Sequence, residues 1–93
     1  MQEAFESEFL SPPEMGVHTI TLLFPPEKEQ SKFGKAQWVF ECELDGVQGK
    51  FAPSVRLLRI LAQRTEEEGG VFPLTIQFER IGDGLKTQYR LIQ

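Results

Sequence analysis

The chain has 93 residues, 40% of them apolar and 26% charged, with eight Phe, one Trp and one Tyr. That length accommodates one domain and excludes two, because a chain of this size buries roughly 60–70% of its unfolded surface around a single core. A single cysteine, Cys42, excludes an intramolecular disulfide framework, and a net charge of −4 argues against a polyanionic partner until its distribution is considered.

Residues 1–16 carry Glu3, Glu6, Glu8 and Glu14 with no Lys or Arg, so residues 17–93 balance ten acids against ten bases. The start Met1-Gln2-Glu3 lacks the basic-then-apolar pattern of a secretory signal. The longest apolar runs, such as Ile20 to Phe24 interrupted by Thr21, fall far short of the roughly 20 residues that cross a bilayer. A cytoplasmic protein without a membrane span is expected. Phe5, Phe9 and Leu10 followed by Ser11-Pro12-Pro13 make residues 1–16 a flexible acidic arm, because proline disfavours helix at the preceding residue. The domain proper is expected over 17–93.

Val17 to Phe24 is rich in β-branched and aromatic residues, with Ile20, Leu22 and Phe24 on one face, and reads as the first strand. Pro25-Pro26 ends it, and the polar, Gly/Pro-marked residues 25–35 form a long loop. Trp38, Phe40, Cys42 and Leu44 alternate with Gln37, Val39, Glu41 and Glu43, the period of a half-buried strand, which places Trp38 in the core. Asp45-Gly46 suits a two-residue hairpin turn, so Val47 to Ala52 returns as the antiparallel partner.

Ser54 precedes a stripe of Leu57, Leu58, Leu61 and Ala62 and is the expected helix N-cap. The helix should end between Arg64 and Glu67, since Glu66-Glu67-Glu68 oppose the negative end of its dipole and Gly69-Gly70 follow. Leu74, Ile76 and Phe78 alternate with polar residues, and after Gly82-Asp83-Gly84 the residues Thr87, Tyr89 and Leu91 do the same. The expected elements are strands near 17–24, 36–45, 47–52, 73–81 and 85–92, with a helix near 54–66.

Catalysis has no visible constellation. A nucleophile needs a base beside it, and His18 and Cys42 fall on different strands with nothing to pair them. Zinc would need about four Cys or His ligands, and the chain holds two. Lys35 after Gly34 lacks the remaining P-loop residues. A non-enzyme without cofactor or metal is expected.

The order β-β-β-α-β-β, in an all-β chain with one helix, resembles the five-stranded OB-fold, a partly open Greek-key barrel. The run SKFGKAQWVFECELDGVQGKFAPSVRLLRIL over residues 31–61 resembles the OB-fold single-stranded-DNA-binding proteins of bacteriophages, with its Gly-containing loop, aromatic strand, D-G hairpin and Ser-capped helix. The resemblance implies non-catalytic binding of single-stranded DNA in phage or mobile-element replication or recombination. Ligand would lie across the second and third strands, between the loops joining strands one to two and four to five.

Residues placed there are Lys32, Phe33 and Lys35 in the first loop, and Gln37, Val39, Lys50 and Phe51 on the strands. Phe51 faces outward or inward according to the hairpin register, since a slip of one residue exchanges the faces. Arg80 and Lys86 flank the second loop, and Arg90 lies on the polar face of the last strand. Basic side chains would track phosphates while aromatics stack on bases, with self-association adding avidity. The rival reading is an OB-like protein-interaction or virion-assembly module that meets a protein partner through the acidic arm.

Overall fold

The computed structural model describes residues 9–30 and 34–92. Its elements, in chain order, are β1 (Gly16–Leu22), β2 (Glu27–Gln30), β3 (Ala36–Leu44), β4 (Val47–Phe51), α1 (Val55–Glu67), β5 (Leu74–Ile81), a 3-10 turn (Gly84–Lys86) and β6 (Gln88–Ile92). Among the described residues the protein is mostly β with one helix, and six strands form one antiparallel sheet. Pairing runs β2-β3-β1-β5-β6, β2 and β1 following one another along one edge of β3 and β4 taking its other edge. Among the described residues no strand pairing joins β4 to β6, so the sheet is not closed.

Six strands replace the expected five because β2 forms inside the segment expected to be loop. Glu27-Lys28-Glu29-Gln30 are poor strand formers alone. They are recruited by the edge of the long β3, where Glu27 lies opposite Val39 and Gln30 opposite Ala36. β1 occupies the same edge further along, with Ile20 opposite Leu44 and Leu22 opposite Cys42. Between them Pro25 and Pro26, which have no N–H to donate, interrupt the ladder. Phe24 turns outward there and is 58% exposed, instead of joining Ile20 and Leu22 inside.

The β3–β4 turn forms as expected, with Asp45 at φ 52° and Gly46 at φ 88°, the left-handed pair a tight hairpin requires. Its register sets Phe40 opposite Phe51 and Glu41 opposite Lys50. Ser54 caps α1, its hydroxyl accepting from the Leu57 N–H at 3.4 Å. The helix runs on through Glu67 because Arg64 pairs with Glu67 at 3.3 Å, and the Gly70 N–H closes the end on the Thr65 carbonyl at 2.9 Å. The expected strand at 85–87 is instead the 3-10 turn, started by the Asp83 side chain accepting from the Gly84 N–H.

Ile20, Leu22, Cys42, Leu57, Leu61 and Phe78 form the centre of the core, each all but excluded from solvent. Burying one such side chain contributes roughly 1.5–3 kcal/mol. The helix rests on β6 and β5 and covers the inner face of the sheet.

Residues 1–8 of the expected arm lie outside the described residues. Residues 9–15 lie against the sheet: Phe9 bridges Lys50 in parallel, the Leu10 N–H donates to the Lys50 carbonyl at 2.7 Å, and buried Pro13 offers its carbonyl to Arg80 at 2.6 Å. This short stretch therefore runs from the β4 edge to β5, across the side of the sheet that strand pairing leaves open.

Candidate nucleic-acid interface

The structure distributes the expected binding residues over four places. Lys32 and Phe33 lie outside the described residues. Lys35 is exposed at the end of the β2–β3 hairpin, beside Gly34, whose carbonyl accepts from the Gln30 side chain at 3.2 Å. Gln37, Val39 and Lys50 share the outer face of the sheet, as their spacing required. Phe51 is in the core at 3% exposure, because its register partner Phe40 points inward, so it cannot stack on a base.

The remaining three belong to the distant β5–β6 hairpin. Arg80 braces the fold, donating to Pro13 and Thr87 and lying 3.6 Å from Asp83. Lys86 is exposed on the 3-10 turn. Arg90 pairs with Glu79 at 2.7 Å on the outer face. Arg80 also lines a hollow of about 440 Å³ with Arg56, Leu85 and Tyr89 at the start of α1.

The outer face around β3 is acidic. Register places Glu27, Glu29, Glu41 and Glu43 on that face, with Lys50 as its cation, 3.4 Å from Glu29. Val39 is 3% exposed there, at a small cavity of about 110 Å³ shared with Phe24 and Pro25. Four carboxylates against one ammonium repel a phosphate backbone. The flat surface across the expected second and third strands therefore does not suit DNA.

A different group lies on the inner side of the hairpin end. Trp38 has core parity but is 41% exposed, because it borders an open cleft between β3 and α1 instead of being packed over. Lys28, directly opposite on β2, holds its Nζ 5.5 Å from the Trp38 ring centroid, in reach of a cation–π attraction. Beside them opens a largely apolar cleft of about 420 Å³ lined by Pro26, Trp38, Phe40, Leu58, Ala62 and Glu66. The sequence pattern did not identify Lys28 and Trp38 as a pair. The alternation on β3 assigns Trp38 inward, and only the register with β2 brings the lysine over it.

Elsewhere, His18 stacks on Phe78 at 5.6 Å between ring centroids and bonds through both ring nitrogens. Nδ1 lies 2.5 Å from the Asp45 carboxylate and Nε2 lies 2.6 Å from the Glu14 carbonyl. Both partners only accept, so the arrangement is complete when both nitrogens carry protons, which favours the imidazolium. Burial alone would lower the His18 pKa, but the hydrogen bonds and charge of Asp45 and Glu14 outweigh it and raise the value. Burial pushes the Cys42 thiol up to about 11, which leaves it protonated and unreactive at neutral pH. Among the described residues no group of three or more His, Cys, Asp or Glu is placed to hold a metal ion, and no helix is long and apolar enough to cross a membrane. Compared with protein-family models, with curated proteins and with solved structures, the chain matches none of them.

Proposed function

We propose that the chain is a non-catalytic OB-type protein of the phage or mobile-element kind, which binds single-stranded DNA at the Trp38 end of its sheet. The observation that carries this reading is an exposed aromatic ring with a lysine against it, Trp38 under Lys28 Nζ at 5.5 Å, with Lys35 exposed on the same hairpin. Single-strand binders need this combination of a π-face for stacking and cations for phosphates. The strand order gives support, since β4-β3-β1-β5-β6 with an open side between β4 and β6 fits a partly open barrel. The contact is moved from the acidic outer face to the hairpin end.

The test is quenching of Trp38 fluorescence by an oligothymidine at two salt concentrations. Binding should weaken steeply with salt, and Lys35→Ala should make the slope shallower by about 0.7 for one lost phosphate contact. No quenching at low salt would overturn the reading. A protein-interaction module is the second reading, favoured by the acidic outer face with Phe24 exposed beside Glu27 and Glu29. A stable complex with a basic protein, in the absence of DNA binding, would select it.

A further inference from the structure

The cleft between β3 and α1 has an order of polarity along it. On the β3 side is Trp38, with the Lys28 ammonium against its ring just outside the cleft; Phe40, Leu58 and Ala62 are apolar; the far wall, the C-terminal part of the helix side, carries Thr65 and Glu66. The Thr65 hydroxyl donates its proton to the Leu61 carbonyl at 2.8 Å, so toward the cleft it is an acceptor. Glu66 is a carboxylate and also only accepts. The far wall therefore offers acceptors and no side-chain donor.

A nucleotide has the matching order: an anionic phosphate, then a flat apolar face, then a polar edge. The edge decides which base fits. Guanine presents N1–H and the exocyclic N2–H₂ side by side, two donors for one carboxylate. Adenine and cytosine each set a ring-nitrogen acceptor beside their amino group. Thymine flanks its one N–H with two carbonyl oxygens, which a carboxylate repels. A volume of about 420 Å³ lies within the range of small-ligand clefts and exceeds what one base needs.

We infer that this cleft takes one unstacked base of a bound single strand, guanine in preference to thymine, with Trp38 against its face and Glu66 on its Watson–Crick edge. This rests on the proposed DNA-binding function and adds a sequence preference to it. Glu66, adverse to a phosphate, then has a use: it meets the base edge while the backbone stays on the lysine side.

The experiment compares end-labelled single strands of about twelve nucleotides by fluorescence anisotropy with the full chain, a length within the range one OB-type domain covers. One strand is all thymidine, a second has a central dG, and a third has a central dA. The dG strand should bind about tenfold tighter than the thymidine strand, near the low end of what one bidentate base contact discriminates, and tighter than the dA strand. Glu66→Gln, at an exposed position that does not perturb folding, should bring the dG-to-thymidine ratio close to one. Binding of all three strands with equal affinity overturns the base cleft and leaves the DNA-binding reading standing. Equal gains from dG and dA show stacking alone and overturn the role of Glu66, as does a dG preference that survives Glu66→Gln. Binding of none of the strands overturns both proposals.

Discussion

The Leu44 end of β3 is packed and hydrogen-bonded. Leu44 and Cys42 are buried, Asp45 holds both His18 and the Thr19 N–H, and the Glu14 carbonyl draws residues 9–15 onto the same histidine. At the Ala36 end Trp38 stands 41% exposed on a cleft beside α1, with Lys28 of β2 against its ring. One strand thus serves two purposes. Where it crosses the core its side chains supply stability, and where it leaves the core it presents chemistry. Substitutions at the first end should act on folding, and those at the second on binding.

The largest expected effect is at the first end. Phe78→Ala removes a ring that is fully excluded from solvent, stacked under His18 and edge-on to Tyr89 at 6.1 Å. The loss should be about 3–5 kcal/mol by urea denaturation, from lost transfer energy plus the cavity left behind. A loss below about 1 kcal/mol would mean that the sheet does not fold around this residue, and the contrast between the two ends would fail with it.

Next comes the His18–Asp45 pair, tested by Asp45→Asn, which keeps a residue tolerant of the φ 52° turn and removes only the charge. A cost of about 1–2 kcal/mol at pH 6 is expected, at or below the low end of the range for hydrogen bonds to charged groups because Asp45 is half-exposed and solvent screens the pair. The pH dependence fixes the sign. The His18 pKa is raised on folding, so its contribution is complete below its unfolded value of about 6.5 and is lost as pH rises through the native value. For Asp45 burial alone would raise the pKa, but bonds from His18 and Thr19 outweigh it and lower the value. Its contribution is therefore lost as pH falls through that lowered native value. Stability should be greatest between the two titrations, and Asp45→Asn should flatten the decline on the alkaline side. A parent protein whose stability does not fall between pH 6 and pH 8, measured by thermal melts, would show that the imidazolium does not hold this end together.

The sequence made the first end legible and obscured the second, for a physical reason. Alternation at Trp38, Phe40, Cys42 and Leu44, the Asp45-Gly46 turn and the Ser54 cap are local signals, and each produced its element within one or two residues. β2 is not a local signal. Glu27 to Gln30 become a strand through an edge that β3 supplies, and propensity does not register that. The pairing of Lys28 with Trp38 depends on the same edge. Parity assigned a face to Trp38 correctly but could not say that an open cleft lies between it and α1. Phe51 was ambiguous until the register with Phe40 placed it inside, and Arg80 looked like a loop cation until Pro13 and Thr87 took its donors. His18 was unpaired by spacing because Asp45 and the Glu14 carbonyl reach it only once the sheet and residues 9–15 are in place.

The smallest expected effect on stability is at the exposed end, and it sharpens the comparison most. Lys28→Ala deletes an exposed cation over an exposed ring, an attraction worth about 0.5–1 kcal/mol at such sites, so urea midpoints should hardly move. DNA affinity should behave in the opposite way. One lost phosphate contact should make the slope of log affinity against log salt shallower by about 0.7, whereas Asp45→Asn, on the far side of the core, should leave that slope where it was. The two variants change the net charge by one unit in opposite directions, and apart from direct contact each acts on DNA through long-range potential: removing a cation weakens attraction and removing an anion relieves repulsion. Salt screens that long-range part within roughly 10 Å at 0.1 M, so slopes compared above this ionic strength isolate direct contact. A Lys28→Ala variant with an unchanged slope would mean that the lysine serves only to seat Trp38. An Asp45→Asn variant with a shallower slope would mean that DNA reaches the buried end of β3, and the division of the strand into a folding end and a binding end would have to be abandoned.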